Sequence, residues 1–144
     1  MNDPVRILLV EDNDADVYLM RKALTAADLS FELVVIEDGG RAMAFIRNEE
    51  KYADSPVPNL AIIDLSLPKH DGIQLVEAIR QAERFADVPV VLVSSSAKPP
   101  AHVNLEQLRV ARYIAKPPDL ESFLQLGAVL KEILLQSEAR RAGL

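Results

Sequence analysis

Five short apolar runs, each closed by polar or charged residues and separated by stretches with helical spacing, restrict this chain to very few architectures. The runs are Ile7–Val10, Phe31–Ile36, Leu60–Ile63, Val90–Val93 and Tyr113–Ala115. Short apolar runs between turn signals read as strands, and the uninterrupted ones as strands buried on both faces. Phe31–Ile36 contains Glu32 and is read as a strand from its β-branched residues. Val17, Met20, Leu24 and Ala27 recur at helical spacing and predict a first helix from about Ala15. A second helix is expected over Ala42–Asn48 after a break at Gly39-Gly40, and a third from Ile73 after an Asp71-Gly72 turn. A weak fourth is read around Val103–Ala111, and a last from the N-cap Asp119 to about Ser137. The polar stretch 48–59, with Pro56 and Pro58, reads as a long surface loop. Strict alternation of strand and helix predicts a parallel, doubly wound α/β sheet covered by helices on both sides.

The chemistry gathers at one end of these strands. Glu11 and Asp12 follow the first run, Asp64 closes the third, Ser94, Ser95 and Ser96 the fourth, and Lys116 the fifth. Open α/β sheets bind ligands beyond the carboxyl ends of their strands. Acids clustered there with a hydroxyl and an ammonium describe a divalent-metal and phosphoryl site. Taken singly, Asp12, Asn13 and Asp14 read equally well as helix caps or turn residues, and Lys116 as a solvated surface lysine. Asp64 resists that reading, because a carboxylate ending a buried run is costly without compensation. Asp71 belongs to its turn, and His70 and His102 have no partner at metal-ligand spacing, so both are assigned to the surface.

Length and composition narrow the function classes. The 144 residues suit a single domain, 1–144, with a short tail after the last helix and no output domain. A formal charge of −6 disfavours nucleic acid and acidic membranes as partners. The absence of cysteine removes disulfides, thiolate zinc sites and cysteine nucleophiles, and fits a cytoplasmic location. No signal peptide is visible, no apolar stretch approaches a membrane span, and no Gly-x-Gly-x-x-Gly follows the first strand to hold a dinucleotide.

Four stretches carry a family resemblance: Ile7-Leu-Leu-Val-Glu-Asp-Asn13, Ile62-Ile-Asp-Leu-Ser-Leu-Pro-Lys-His-Asp-Gly72, Val90-Val-Leu-Val-Ser-Ser95 and Tyr113-Ile-Ala-Lys-Pro117. Ser94 follows Asp64 by 30 residues, and Lys116 follows Ser94 by 22. In these the whole chain resembles the response regulator receiver domains of two-component signalling. Within that family it is similar to single-domain regulators associated with phytochromes, through Val10-Glu-Asp-Asn13, Ala15-Asp16, Leu19-Met20, the 48–59 insertion and Lys116-Pro-Pro118. The resemblance implies a flavodoxin-like receiver fold with strand order 2-1-3-4-5 and five helices.

It also implies roles. Asp64 is the expected phosphoacceptor in a phosphorelay, and Glu11, Asp12, Asp64 and the Ser66 backbone carbonyl the expected ligands of Mg2+ or Mn2+. Lys116 and Ser94 are expected to bind the phosphoryl group, Ser94 and Tyr113 to form the switch, and Ser66 and Ser96 to tune dephosphorylation. The implied partner is a sensor histidine kinase, with a bacterial phytochrome as a candidate. The protein is then expected not to be an enzyme in the ordinary sense, catalysing only its own phosphorylation and dephosphorylation. The chain departs from the family at Val110-Ala111-Arg112, where a glycine-containing turn is common, and at Pro118; a cis Lys116–Pro117 bond is expected by resemblance.

The last helix carries more apolar residues, from Leu120 to Leu135, than one stripe needs, which favours a homodimer through this helix and the neighbouring surface over deeper burial alone. Two other classes compete. A phosphorylation-independent dimeric adaptor with the same fold would leave the acid set idle. A metal-dependent phosphohydrolase needs an acid two residues after its nucleophile, where Ser66 stands.

Overall fold

The computed structural model describes residues 3–67 and 72–143; His70 and Asp71 lie outside the described residues. The elements are β1 (Val5–Val10), α1 (Asp14–Ala26), β2 (Phe31–Ile36), α2 (Gly39–Ile46), β3 (Leu60–Asp64), α3 (Gly72–Gln81), β4 (Val90–Ser94), β5 (Val110–Ala115), α4 (Leu120–Leu124) and α5 (Leu126–Arg141). The strands form one parallel sheet in the order β2-β1-β3-β4-β5. Among the described residues no helix is long and apolar enough to cross a membrane.

Alternation along the strands divides the core in two. Leu8, Val10, Ala61, Ile63 and Leu92 face α2 and α3, where Phe45, Ile46, Val76 and Ile79 meet them. Ile7, Leu9, Ile62, Val91 and Val93 face α1, α4 and α5, against Met20, Leu24, Phe123 and Leu130. All five residues of β3 and all five of β4 are buried, as a strand covered on both sides requires. Each such aliphatic side chain contributes roughly 1.5–3 kcal/mol of burial, so the sheet centre is the firmest support for whatever its ends carry.

Local chemistry explains the helix boundaries. Asn13 caps α1 by accepting from the Asp16 N–H at 3.0 Å, and Asp38 caps α2 from the Arg41 N–H at 2.8 Å. Gly39 and Gly40 therefore form the first turn of α2 rather than a break before it, and α2 stops at Ile46 with Asn48 in left-handed backbone. The 47–59 segment runs on the surface with one short 3-10 turn, Glu50–Tyr52, and is tied to β1 by Asn59 N–H to the Arg6 carbonyl at 2.7 Å.

Three expectations are corrected. The fourth helix is absent: among the described residues 101–109 there is only a chain of turns, in which Asn104 accepts from the Gln107 N–H at 3.0 Å and the Arg109 N–H bonds the Glu106 carbonyl at 3.0 Å. Arg109, with φ of 55°, ends that turn in the left-handed region, and Val110 and Ala111 pass into β5 instead. The last helix is broken at Gln125 into α4 and α5, where the Ala128 N–H bonds the Gln125 carbonyl in a tightened turn, and it continues to Arg141 rather than Ser137. No described peptide bond is cis, so Lys116–Pro117 is trans, the state X–Pro bonds ordinarily favour.

The apolar surface of the last helix is mostly consumed internally. Leu126, Leu130, Ile133 and Leu134 are buried, and Gly127 lies so close to α1 that a Cβ there would come within 1.9 Å of the Ala23 carbonyl oxygen. Leu120 at 57% and Leu135 at 56% exposure are what is left outside.

Candidate functional site

Strand register assembles the site. Val10 is level with Ile63, Asp64 with Val93, and Ser94 with Ala115. The residues just beyond β1 and β5 therefore meet the last residues of β3 and β4 on one rim, and the Lys116 N–H extends the ladder to the Ser94 carbonyl at 2.7 Å. Glu11, Asp12 and Asp64 bring carboxylate oxygens within 4.8 Å of one another. Glu11 and Asp64 are buried, at 3% and 2% exposure, while Asp12 faces solvent.

The Lys116 ammonium answers this negative charge. Its Nζ lies 3.1 Å from Glu11 Oε1, 3.2 Å from Asp64 Oδ2 and 2.6 Å from Asp16 Oδ2. Asp64 uses its other oxygen, Oδ1, to accept from the Ser66 N–H at 2.8 Å, so both oxygens are oriented before any ligand arrives. Behind the strand end, Gly72 leaves room that a side chain would take: a Cβ there would be 2.8 Å from Leu65 Cδ2 and 3.1 Å from the Asp64 carbonyl oxygen.

The charges are unequally held. Burial, with Asp64 as hydrogen-bonding and like-charged neighbour, pushes the Glu11 carboxyl up to about 7, and Lys116 only partly opposes this. Asp64 goes the other way: against the burial that works to raise it, its hydrogen bonds with Glu11 and the Ser66 N–H, together with Lys116, hold it below the ordinary carboxylate range. Lys116 is also buried, which works to lower it, but Asp16, Glu11 and Asp64 raise it well above an ordinary lysine. The arrangement thus favours an ionised Asp64 and a charged ammonium, and makes Glu11 the carboxyl of this pair that takes up a proton more readily.

Asp16 is the residue that sequence reasoning missed, although it makes the shortest of the three contacts. A signal existed. With Asn13 as N-cap, Asp16 falls at the third helical position, where an acidic side chain turns back toward the helix start; here it reaches the lysine instead.

The remaining expected residues stand around this core. Ser94 is buried, and its Oγ accepts from the Ser96 N–H at 3.1 Å, so the hydroxyl is engaged in its own turn. Ser96 Oγ donates to the Lys98 carbonyl at 3.1 Å. Tyr113 is half-buried, with its hydroxyl 2.8 Å from the Ser96 carbonyl and 3.1 Å from that of Lys98. The loop after β4 is therefore tied to β5 through one phenol.

Chemically, three hard oxygen donors around a charged amine suit a small divalent cation together with a phosphoryl group. The family model described as response regulator receiver domain matches residues 7–126. The chain belongs to that family. Its receiver is 33% identical over 136 residues to the response regulator Rcp1 of Synechocystis sp., covering 94% of this chain and 92% of that one. It is also similar in structure to the phosphorylated cyanobacterial phytochrome response regulator RcpA, at 34% identity and a TM-score of 0.82 over 92% of this chain and 95% of that one. The Mn2+-bound form of Rcp1 matches at 34% identity and a TM-score of 0.79, over 89% and 92%. The receiver thus resembles phytochrome response regulators along nearly its full length, and its acid cluster fits the divalent-metal binding of such domains.

Proposed function

We propose that the protein is a phosphoacceptor response regulator, taking a phosphoryl group from a sensor histidine kinase onto Asp64. A single observation carries this: the buried Asp64 carboxylate sits 3.2 Å from the Lys116 ammonium, inside a cluster of three acids whose oxygens lie within 4.8 Å. In the transfer an Asp64 oxygen forms the new bond to phosphorus while the bond from phosphorus to the donor histidine nitrogen breaks. Asp64 is ionised and held by the Ser66 N–H, so the nucleophile is aimed before the donor docks. Lys116 then has a phosphoryl oxygen to pair with in place of the carboxylate, which stabilises charge as it moves outward.

The donor set fits Mg2+ or Mn2+: Glu11, Asp12 and Asp64 would hold it with the Ser66 carbonyl, and it would supply charge neutralisation between two mutually repelling anions. The ionised form of Glu11 would be favoured by a bound cation, against the burial that favours its proton. Ser94 turns its hydroxyl from Ser96 toward the new phosphoryl oxygens, and Tyr113 follows by leaving the carbonyls of Ser96 and Lys98. The surface formed by the 101–109 turns, β5 and the last helix changes as a result, as a shift between two packings. Ser66 and Ser96 occupy the two positions expected by resemblance to tune loss of the group, and small side chains there would leave an attacking water free.

The similarity to regulators named for phytochromes supports a bacterial phytochrome as the kinase. Exposed Leu120 and Leu135 support a homodimer through α4, α5 and the adjoining surface. The deciding experiment incubates the protein with acetyl phosphate and Mg2+, then with a phosphorylated phytochrome kinase. Label is expected on the wild type and lost in Asp64→Asn. An unlabelled wild type, or equal labelling of the variant, defeats the proposal.

A further inference from the structure

The sheet's opposite end carries a second charged site. A cavity of about 780 Å³ opens at the amino ends of β4 and β5, against the C-terminal turn of α5. Arg80, Arg109, Arg112, Arg140 and Arg141 line it, half of the chain's ten arginines, with only Asp87 and Glu106 as acids. None of the five is ion-paired with a carboxylate among the described residues. For a chain of net charge −6, this is a concentrated positive field in the wrong place to be general solvation.

Two details separate the cluster from an ordinary solvated face. Arg140 and Arg141 complement the negative end of α5, but that account does not reach the other three. Arg80 is tethered by its Nε to the Leu108 carbonyl at 2.9 Å and by Nη2 to the carbonyls of Val88 at 3.1 Å and Arg109 at 3.2 Å. Its guanidinium is thereby fixed in the cavity lining by backbone carbonyls, with no carboxylate partner among the described residues. Arg109 itself occupies left-handed backbone at φ 55°. Among the described residues the other non-glycine ones in that region are Asp28 and Asn48, types that tolerate it; an arginine does so at a cost that glycine would avoid.

We propose that this cavity binds a small, multiply charged phosphate anion, a nucleoside di- or triphosphate or free pyrophosphate. Guanidiniums form paired, charge-assisted hydrogen bonds to phosphate oxygens, and every basic residue lining the cavity is arginine rather than lysine. Val88, Pro89, Val110 and Ile133 supply an apolar shelf beside them, and the volume lies within the range of small-ligand sites. The site is separate from Asp64 and does not depend on its phosphorylation.

The test is calorimetric titration of the full chain with pyrophosphate and, separately, with ATP, in EDTA so that no metal bridges phosphate to the acid cluster. Saturable binding is expected, weakened about tenfold or more by combined Arg112→Glu and Arg140→Glu and unaffected by Asp64→Asn. Arg109→Gly removes a guanidinium while relaxing its backbone, so weakening there is not a folding defect. Tighter binding of ATP than of tripolyphosphate, titrated as the control with the same number of phosphates, assigns the shelf to a base; equal binding assigns the site to phosphate alone. Absence of saturable binding, equal affinity in the charge-reversed protein, or binding of heparin without pyrophosphate overturns the proposal.

Discussion

One ammonium serving three carboxylates makes Lys116 the residue on which the site balances. Lys116→Met is expected to slow acetyl phosphate labelling of Asp64 by roughly 100-fold, read as the initial rate in saturating Mg2+. The carboxyls also set a pH dependence. Glu11 is raised from 4.5 to about 7, so between those values the folded state binds more protons than the unfolded chain. Stability of the metal-free protein therefore falls as pH rises through that window, by about 3 kcal/mol at most. Asp64 is depressed, and its contribution is present above its ordinary 3.8 and lost as pH falls through its folded value. Urea denaturation in EDTA should show the decline from about pH 4.5 to 7 in the wild type and a flat profile in Glu11→Gln; an unchanged slope in the variant would refute the assignment. Mg2+ competes with the Glu11 proton, so its affinity should climb over the same window. At this scale the sequence disclosed Glu11, Asp12, Asp64 and Lys116 because each ends an apolar run. Asp16 lay inside a helix, where its reach depends on the cap at Asn13.

At the scale of elements, the close approach of α1 and α5 at Gly127 is the most exacting contact. Gly127→Ala should destabilise by about 1–3 kcal/mol despite better helix propensity, because the added methyl must displace the Ala23 carbonyl. A lowered melting temperature with unchanged helical content would register it. Strands were legible as apolar runs, and β3 and β4 most plainly since both their faces are covered. The 101–109 segment was not legible, because Ala101, Leu105 and Leu108 are spaced like a helix face while Asn104 and Arg109 enclose only one turn. The break at Gln125 was equally hidden, since the apolar pattern continues across it and only packing against α1 marks the place.

Taken whole, the molecule is polar along its strands: carboxylates gather where the chain leaves the sheet centre, and arginines where it enters β4 and β5. That separation was invisible in the net charge, which averages the two ends. Assembly belongs to this scale too. Light scattering with beryllofluoride and Mg2+ is expected to report a dimer, and Leu135→Lys to reduce it to a monomer by charging the exposed part of α5. A dimer unaffected by that substitution would move the interface elsewhere.

The phenol of Tyr113 has a practical use. The chain contains no tryptophan and three tyrosines, so its near-ultraviolet emission comes from phenols alone. Tyr18 is exposed and Tyr52 lies edge-on to Phe45, whereas the single Tyr113 hydroxyl proton is shared between two carbonyls of the loop after β4. Whatever frees that hydroxyl must alter the light this protein gives off, and an unlabelled sample in a cuvette becomes its own recorder of the loop's position.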